Sequence, residues 1–398
     1  MGMQTGIFSH AQLADRIGMA LQAEKAAAVY FDNAATSFPK PPAVIAAVTE
    51  YMTRVGGNPG RSAHARSVDA GEAVFAAREA AAELFGASNP MRVLFASNAT
   101  EALNLAVQGI LRPGDHAVTT AMEHNSVIRP LREMESRGVA LTVVPCPDGR
   151  LDPERFSRSV RPDTKLAVVN HASNAFGVLQ PLRDIAAVCR ERGIILLADC
   201  AQTAGIIPID MERDGIDLLA FAGHKGLYGP TGTGGLVLAG GFDTALLRPL
   251  KFGGTGSNSD SEVQPDFLPD RYESGTLNAA GISGLDAGIR HIFSLQDGVK
   301  SVYSHKRTLA GRFMNGVRGS VRGFTGYVPA ERIETGVVSF NIAGMEPSEV
   351  AYLLSERYGI MCRPGLHCAP LAHRTIGTFP GGTVRFSFGI FNTAEEID

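Results

Sequence analysis

Between residues 92 and 222 the chain repeats one pattern: a short run that is apolar on successive positions, with polar residues chiefly at its ends, then in most cases a stretch with helical period. The runs fall at 92–96, 116–120, 140–144, 166–170, 194–198 and 218–222, with helical patterns after Thr100 and at 127–137 and 182–192. A strand that is apolar on both faces must be covered on both faces. Alternation of such strands with helices therefore predicts a mostly parallel sheet flanked by helices, an α/β fold. In sheets of this kind ligands bind beyond the carboxyl ends of the strands. The polar residues that follow each run are the first candidates for function.

Taken in order, those residues form a series. Thr100 opens a helix in Asn98-Ala99-Thr100-Glu101, and free amides beside a hydroxyl at a helix start suit a phosphate; the same residues also read as an ordinary Asn/Thr cap. His124 follows the run 116–120, where it can stack on an aromatic ring or carry protons, or simply bond within its loop. Asn174 follows 166–170, and Asp199 with Gln202 follows 194–198. An aspartate after an apolar run needs a buried partner for its charge. A protonated pyridine nitrogen is one such partner. Lys225, in Ala222-Gly223-His224-Lys225-Gly226, lies at the mouth of the run 218–222 and ahead of a glycine-rich turn. Desolvation there favours a neutral amine able to form a Schiff base; an exposed lysine before a turn is the alternative.

At 398 residues the chain is long enough for two domains. A helical arm is expected at 1–28, a large domain at 29–285, and a smaller C-terminal α/β domain at 286–398. A long polar loop covers 254–275, of a length that in compact domains is usually functional or mobile. Formal charge is -3, with 37 Lys+Arg against 40 Asp+Glu, and no basic stripe points to nucleic acid. No apolar run is long enough for a bilayer, and the N-terminus lacks a secretory pattern. Five cysteines without metal-like spacing read as reduced thiols in a cytoplasmic protein that needs no metal.

An aspartate after one strand and a His-Lys-Gly group after the next resembles the fold-type I pyridoxal-phosphate enzymes. The surrounding words narrow the resemblance to the class V aminotransferase family, and within it to the cysteine desulfurases and selenocysteine lyases. They are Phe31-Asp32-Asn33-Ala34-Ala35-Thr36; 98–104; Met122-Glu123-His124-Asn125-Ser126; Ser173-Asn174-Ala175-Phe176-Gly177; Asp199-Cys200-Ala201-Gln202; Gly223-His224-Lys225; 271–276; Arg363-Pro364-Gly365-Leu366-His367-Cys368-Ala369-Pro370; and Val384-Arg385-Phe386-Ser387. Together they cover about residues 29–398.

The resemblance implies a seven-stranded-type sheet in the large domain and pyridoxal 5'-phosphate as cofactor. Lys225 holds the cofactor, Asp199 pairs with the pyridine nitrogen, Gln202 bonds the phenolic oxygen, and His124 stacks on the ring. Ala99, Thr100 and His224 take the phosphate, with Thr276 reaching the phosphate of the partner in a homodimer. Asn174 and Arg385 hold the substrate carboxylate, with Arg363 and Asn33 lining the same site. A guanidinium suits that task because it pairs with carboxylate bidentately.

Cys368 discriminates within the family, since it lies in a loop rather than an apolar strand. Beside His367 and Arg363 it has the setting of a nucleophile, although a free cysteine is also a common small core residue. The implied reaction takes L-cysteine to L-alanine and leaves the sulfur on Cys368 as a persulfide, which an acceptor protein then removes, as in iron-sulfur cluster assembly. The alternatives are a selenocysteine lyase, or another class V transaminase or lyase that does not depend on Cys368. Two departures stand out. Relatives usually carry a hydroxyl residue where this chain has Ala222, and they usually continue into a terminal helix where this sequence stops soon after 392–396, which leaves two expectations: a small domain that is incomplete, or one closed by another element such as the N-terminal arm.

Overall fold

A computed structural model describes residues 28–60 and 64–398. The arm expected at 1–28 lies, but for residue 28, outside the described residues. The strands in chain order are β1 (Val29–Tyr30), β2 (Val93–Ala96), β3 (His116–Thr120), β4 (Ala140–Val144), β5 (Thr164–Asn170), β6 (Ile195–Asp199), β7 (Leu218–Ala222) and β8 (Gly234–Leu238). Then follow β9 (Phe324–Gly326), β10 (Val337–Ile342), β11 (Ile360–Met361), β12 (Arg363–Gly365) and β13 (Thr383–Ser387).

The large sheet has seven strands in the order β2-β8-β7-β6-β5-β3-β4. Every pairing from β7 through β4 is parallel. Their carboxyl ends therefore share one edge, as the apolar runs require. Strand β8 alone runs the other way, between β2 and β7. The sequence reading took this stretch only as a glycine-rich turn. Glycine is what lets β8 fit: a Cβ at Gly234 would come 2.8 Å from Asn98 Cα, and one at Gly235 would come 2.5 Å from Leu94 O. The glycine run thus draws β8 against the start of the helix Ala99–Ile110.

Helices cover the sheet. In Ala65–Phe85 the residues Ala70, Val74, Ala77, Ala81 and Leu84 recur at helical spacing and are all buried. The helix stops at Gly86, whose left-handed backbone no β-carbon opposes. It packs on Ala279–Phe293, which also meets Pro42–Glu50. Among the described residues no helix is long and apolar enough to cross a membrane.

A second, antiparallel sheet has the order β12-β13-β10-β9. Phe313, Phe340 and Phe386 pack at its centre, and Phe31 joins them with its ring 5.1 Å from that of Phe386. Strand β1 pairs in parallel with β11. Asn33 Nδ2 donates to Tyr30 O, Ser387 O and Asn392 Oδ1. Residues 29–33 are therefore stitched to the C-terminal part of the chain, although they open the segment 29–285.

The segment 254–275 forms no regular element. Its end is fixed by a buried ion pair: Arg78 grips both carboxylate oxygens of Glu273 and the carbonyl of Val93, and Phe95 N donates to Glu273 Oε1. Removing one partner leaves a buried charge alone, at a cost of about 3–5 kcal/mol. Glu273→Ala is expected to lower unfolding free energy by about that amount in a urea titration, against about 1 kcal/mol or less for the exposed pair partner Glu133→Ala.

Candidate active site

The carboxyl ends of β2, β3, β5, β6 and β7 converge on one pocket. Its lining includes Ala99, Thr100, His124, Asn174, Asp199, Gln202, His224 and Lys225. Eight of the residues singled out in the sequence thus meet in one place. Asp199 ends β6 and Ala222 ends β7, so parallel pairing sets the carboxylate and Lys225 on neighbouring strand ends.

Burial decides the electrostatics here. It pulls the Lys225 amine from its ordinary 10.5 down to about 8, with the Asp199 carboxylate opposing and the charges of Arg385 and Arg363 assisting. It raises the Asp199 carboxyl, opposed by the Ala201 N–H (2.9 Å to Oδ1) and by Lys225. Burial also raises neighbouring Glu123 to about 8. Burial and Lys225 bring His124 and His224 to about 4, so both are neutral at pH 7.

Local structure fixes each group. His124 caps the helix Asn125–Ser136, its Nδ1 accepting from Ser126 N at 3.0 Å. That bond leaves the ring proton on Nε2. Asn98 caps the helix Ala99–Ile110 by accepting from Glu101 N, and among the described residues the amides of Ala99 and Thr100 have no acceptor. The peptide before Lys225 is held by the segment 36–40: His224 O accepts from Ser37 N at 3.1 Å, Thr36 Oγ1 at 3.1 Å and Lys40 Nζ at 2.8 Å. Gln202 Nε2 donates to Ala34 O at 3.0 Å.

The second sheet supplies a pair of arginines. Arg363 on β12 lies directly opposite Arg385 on β13. Directly opposed residues on antiparallel strands share a face, and two like charges there are unfavourable without an anion. Arg385 is almost wholly buried and bonds Asp32 Oδ1 at 2.7 Å and Asn174 O at 3.1 Å, while its Nε is buried without a partner. Asp32 is the residue the sequence reading passed over in favour of Asn33. The signal was present: an arginine in the apolar run 384–386 needs an acid, and Asp32 follows a short strand. Asn33 is not brought to the pocket, because its amide is spent on the C-terminal stitching. Thr276 also lies elsewhere, exposed on a cleft lined by Arg78, Asp270 and Glu273.

Cys368 is exposed, and both it and His367 have left-handed backbone, with φ of 56° and 50°. The loop is held by its carbonyls: Asn125 N donates to Cys368 O at 2.7 Å, and Asn174 Nδ2 to His367 O at 2.6 Å. The thiol borders a cleft of about 410 Å³ that shares Thr100, His124 and Ser126 with the Lys225 pocket. Sequence proximity suggested His367 as the neighbour that assists the thiol. Instead His367 is buried and lowered to about 3, chiefly by desolvation. It sits in a chain: Nε2 to Arg363 O at 3.1 Å, Nδ1 to His373 Nε2 at 3.3 Å, and His373 Nδ1 to Thr378 Oγ1 at 2.7 Å. Its task is to hold the loop. The other cysteines are poor nucleophiles, since burial pushes Cys146, Cys189 and Cys362 up to about 12 and raises Cys200 further.

Residues 29–398 match the family model for aminotransferase class V. The chain belongs to that family. It is 36% identical over 375 residues to a probable cysteine desulfurase of Methanothermobacter thermautotrophicus, covering 93% of this chain and 92% of that protein. It is 32% identical to the cysteine desulfurase IscS of Anaeromyxobacter dehalogenans, covering 93% and 90%. Among solved structures, an apo cysteine desulfurase from Thermococcus onnurineus superimposes with a TM-score of 0.86 at 33% identity, covering 93% of this chain and 92% of that one. The Escherichia coli cysteine desulfurase CsdA, in an S-sulfonic acid form, gives 0.82 at 29% identity, covering 99% and 96%.

The lowered Lys225 amine has a direct consequence. Only the neutral amine attacks an aldehyde, so trapping of an added aldehyde on Lys225, followed by peptide mass after borohydride reduction, is expected to rise with pH around a midpoint near 8. A midpoint near 10.5, the ordinary value, would show that the site does not lower it.

Proposed function

We propose that this chain is a pyridoxal-phosphate-dependent cysteine desulfurase that converts L-cysteine to L-alanine and retains the sulfur on Cys368. The observation that carries the reading is the exposed Cys368 thiol on a cleft that shares its rim with the Lys225 pocket.

The residues fit the cofactor. Asp199 is a buried carboxylate that calls for a cation, as a pyridinium nitrogen provides. The uncommitted amides of Ala99 and Thr100 at a helix start, with Thr100 Oγ1, are donors for a phosphate. His224 Nδ1 is buried without a partner in the same pocket. Lys225 would carry the cofactor, Asp199 would face its ring nitrogen, Gln202 its phenolic oxygen, and His124 its ring face. Pyridoxal phosphate supplies an electron sink that makes the substrate Cα–H acidic and the Cβ–S bond weak.

The protein's own groups do the rest. Arg385, steadied by Asp32 and Asn174, pairs with the substrate carboxylate, and Arg363 adds charge from the facing strand. Lys225 Nζ, with its lowered affinity for protons, takes the α-proton and later returns one. Cys368 Sγ, as thiolate, attacks the substrate sulfur; the S–S bond forms as the Cβ–S bond breaks, and the electron pair of the broken bond stays on the carbon side. His124 Nε2 supplies the proton that Cβ takes to complete alanine, and the proton given up by the Cys368 thiol balances it. Thr276 reaches the phosphate of a partner subunit in a homodimer, and the persulfide passes to an acceptor protein.

Cofactor-loaded enzyme is expected to release alanine from L-cysteine, with sulfide appearing when a thiol reductant is present. Cys368→Ser is expected to keep the visible cofactor band and lose about a hundredfold or more of alanine formation. Undiminished turnover in that variant would remove Cys368 from the reaction. Absence of alanine from the cofactor-loaded wild type would overturn the whole reading.

A further inference from the structure

We infer that Ser126 is a cofactor-phosphate ligand: its hydroxyl, paired with that of Thr100, donates to the phosphate group. The inference rests on the pyridoxal-phosphate reading above. Ser126 and Thr100 come from different helices, Asn125–Ser136 and Ala99–Ile110, and their hydroxyl oxygens stand 2.7 Å apart. Both line the pocket that holds Lys225, beside Ala99 and His224.

The argument is a count of protons. Two hydroxyls at 2.7 Å share one proton, so the pair always has a second proton to give elsewhere. A phosphate presents only acceptor oxygens and can take both. The other neighbour of Ser126 Oγ is His124 Nδ1, 2.9 Å away. That nitrogen also accepts from Ser126 N at 3.0 Å, so its one lone pair is divided between two donors, and an anionic phosphate oxygen is the stronger acceptor for the hydroxyl. The amide of Asn125 is likewise spent, on Cys368 O. At the end of β7 the residue lining the same pocket is Ala222, which offers only a methyl group. Besides His224, whose Nδ1 is buried without a partner, the donors on this wall are therefore the two hydroxyls and the amides of Ala99 and Thr100, all four carried by helix starts.

A purely structural role for Ser126, fixing His124, would act on the ring site and not on the phosphate. Two ligands separate the roles: pyridoxal phosphate, and pyridoxal, which lacks the phosphate. Apo-enzyme is titrated with each while the visible absorption band is followed. Ser126→Ala is expected to weaken pyridoxal phosphate roughly tenfold, the size of one hydrogen bond to a charged group, and to leave pyridoxal unchanged. The 31P resonance of the bound cofactor is expected to shift in the variant. Unchanged affinity for pyridoxal phosphate, or an equal loss for both ligands, overturns the inference while leaving the cofactor reading in place. A wild-type apo-enzyme that binds neither ligand overturns both.

Discussion

A parallel sheet covered on both faces leaves its charged residues one place to stand, the strand ends, and there they are only partly hydrated. That constraint organises the whole site. Lys225 and Asp199 sit on neighbouring strand ends, each disfavoured by burial and each relieved by the other. The amine is brought within reach of neutrality while the carboxyl is denied water. The same desolvation keeps His124 and His224 uncharged. Lys225 carries the positive charge that lines the pocket, and Arg385 and Arg363 add theirs from the second sheet, a field that draws an anionic substrate.

The sheet alone does not complete the site. Arg385 comes from the second sheet, and residues 32–40 hold both parts: Asp32 bonds Arg385, while Thr36, Ser37 and Lys40 grip the carbonyl before Lys225. This short segment is the physical link between the lysine and the arginine. The Cys368 loop is joined to the same frame through Asn125 and Asn174. Its two left-handed residues are held by backbone bonds and by the buried His367–His373–Thr378 chain. The thiol is presented by a fixed turn.

Much of this was legible in the sequence. Apolar runs at 116–120 and 218–222 coincide with β3 and β7, because burial on both faces dictates composition directly, and the run at 140–144 coincides with the edge strand β4, which is only partly buried. The strand-end polar residues from Thr100 to Lys225 follow from the same rule. Three things were not legible. Strand β8 hides in a glycine-rich stretch, because its glycines are chosen for close approach and not for strand propensity. The need of Arg385 for an acid was legible, but its pairing with Asp32 spans 353 positions, and no local pattern says which acid it is. The part played by His367 was misjudged, because sequence adjacency to Cys368 says nothing of which side chain turns inward. Its burial is set by His373 and Thr378, which the sequence reading did not connect.

The central claim is that this frame delivers substrate sulfur to Cys368 and to no other thiol. The most direct measurement is a single turnover with 34S-labelled L-cysteine in the absence of reductant, followed by peptide mass analysis of every cysteine. The account predicts one added 34S atom on the peptide that contains Cys368, formed together with alanine, and none on the peptides of Cys146, Cys189, Cys200 and Cys362. Alanine formed with no label on Cys368, or with label on one of the other four thiols, would contradict it.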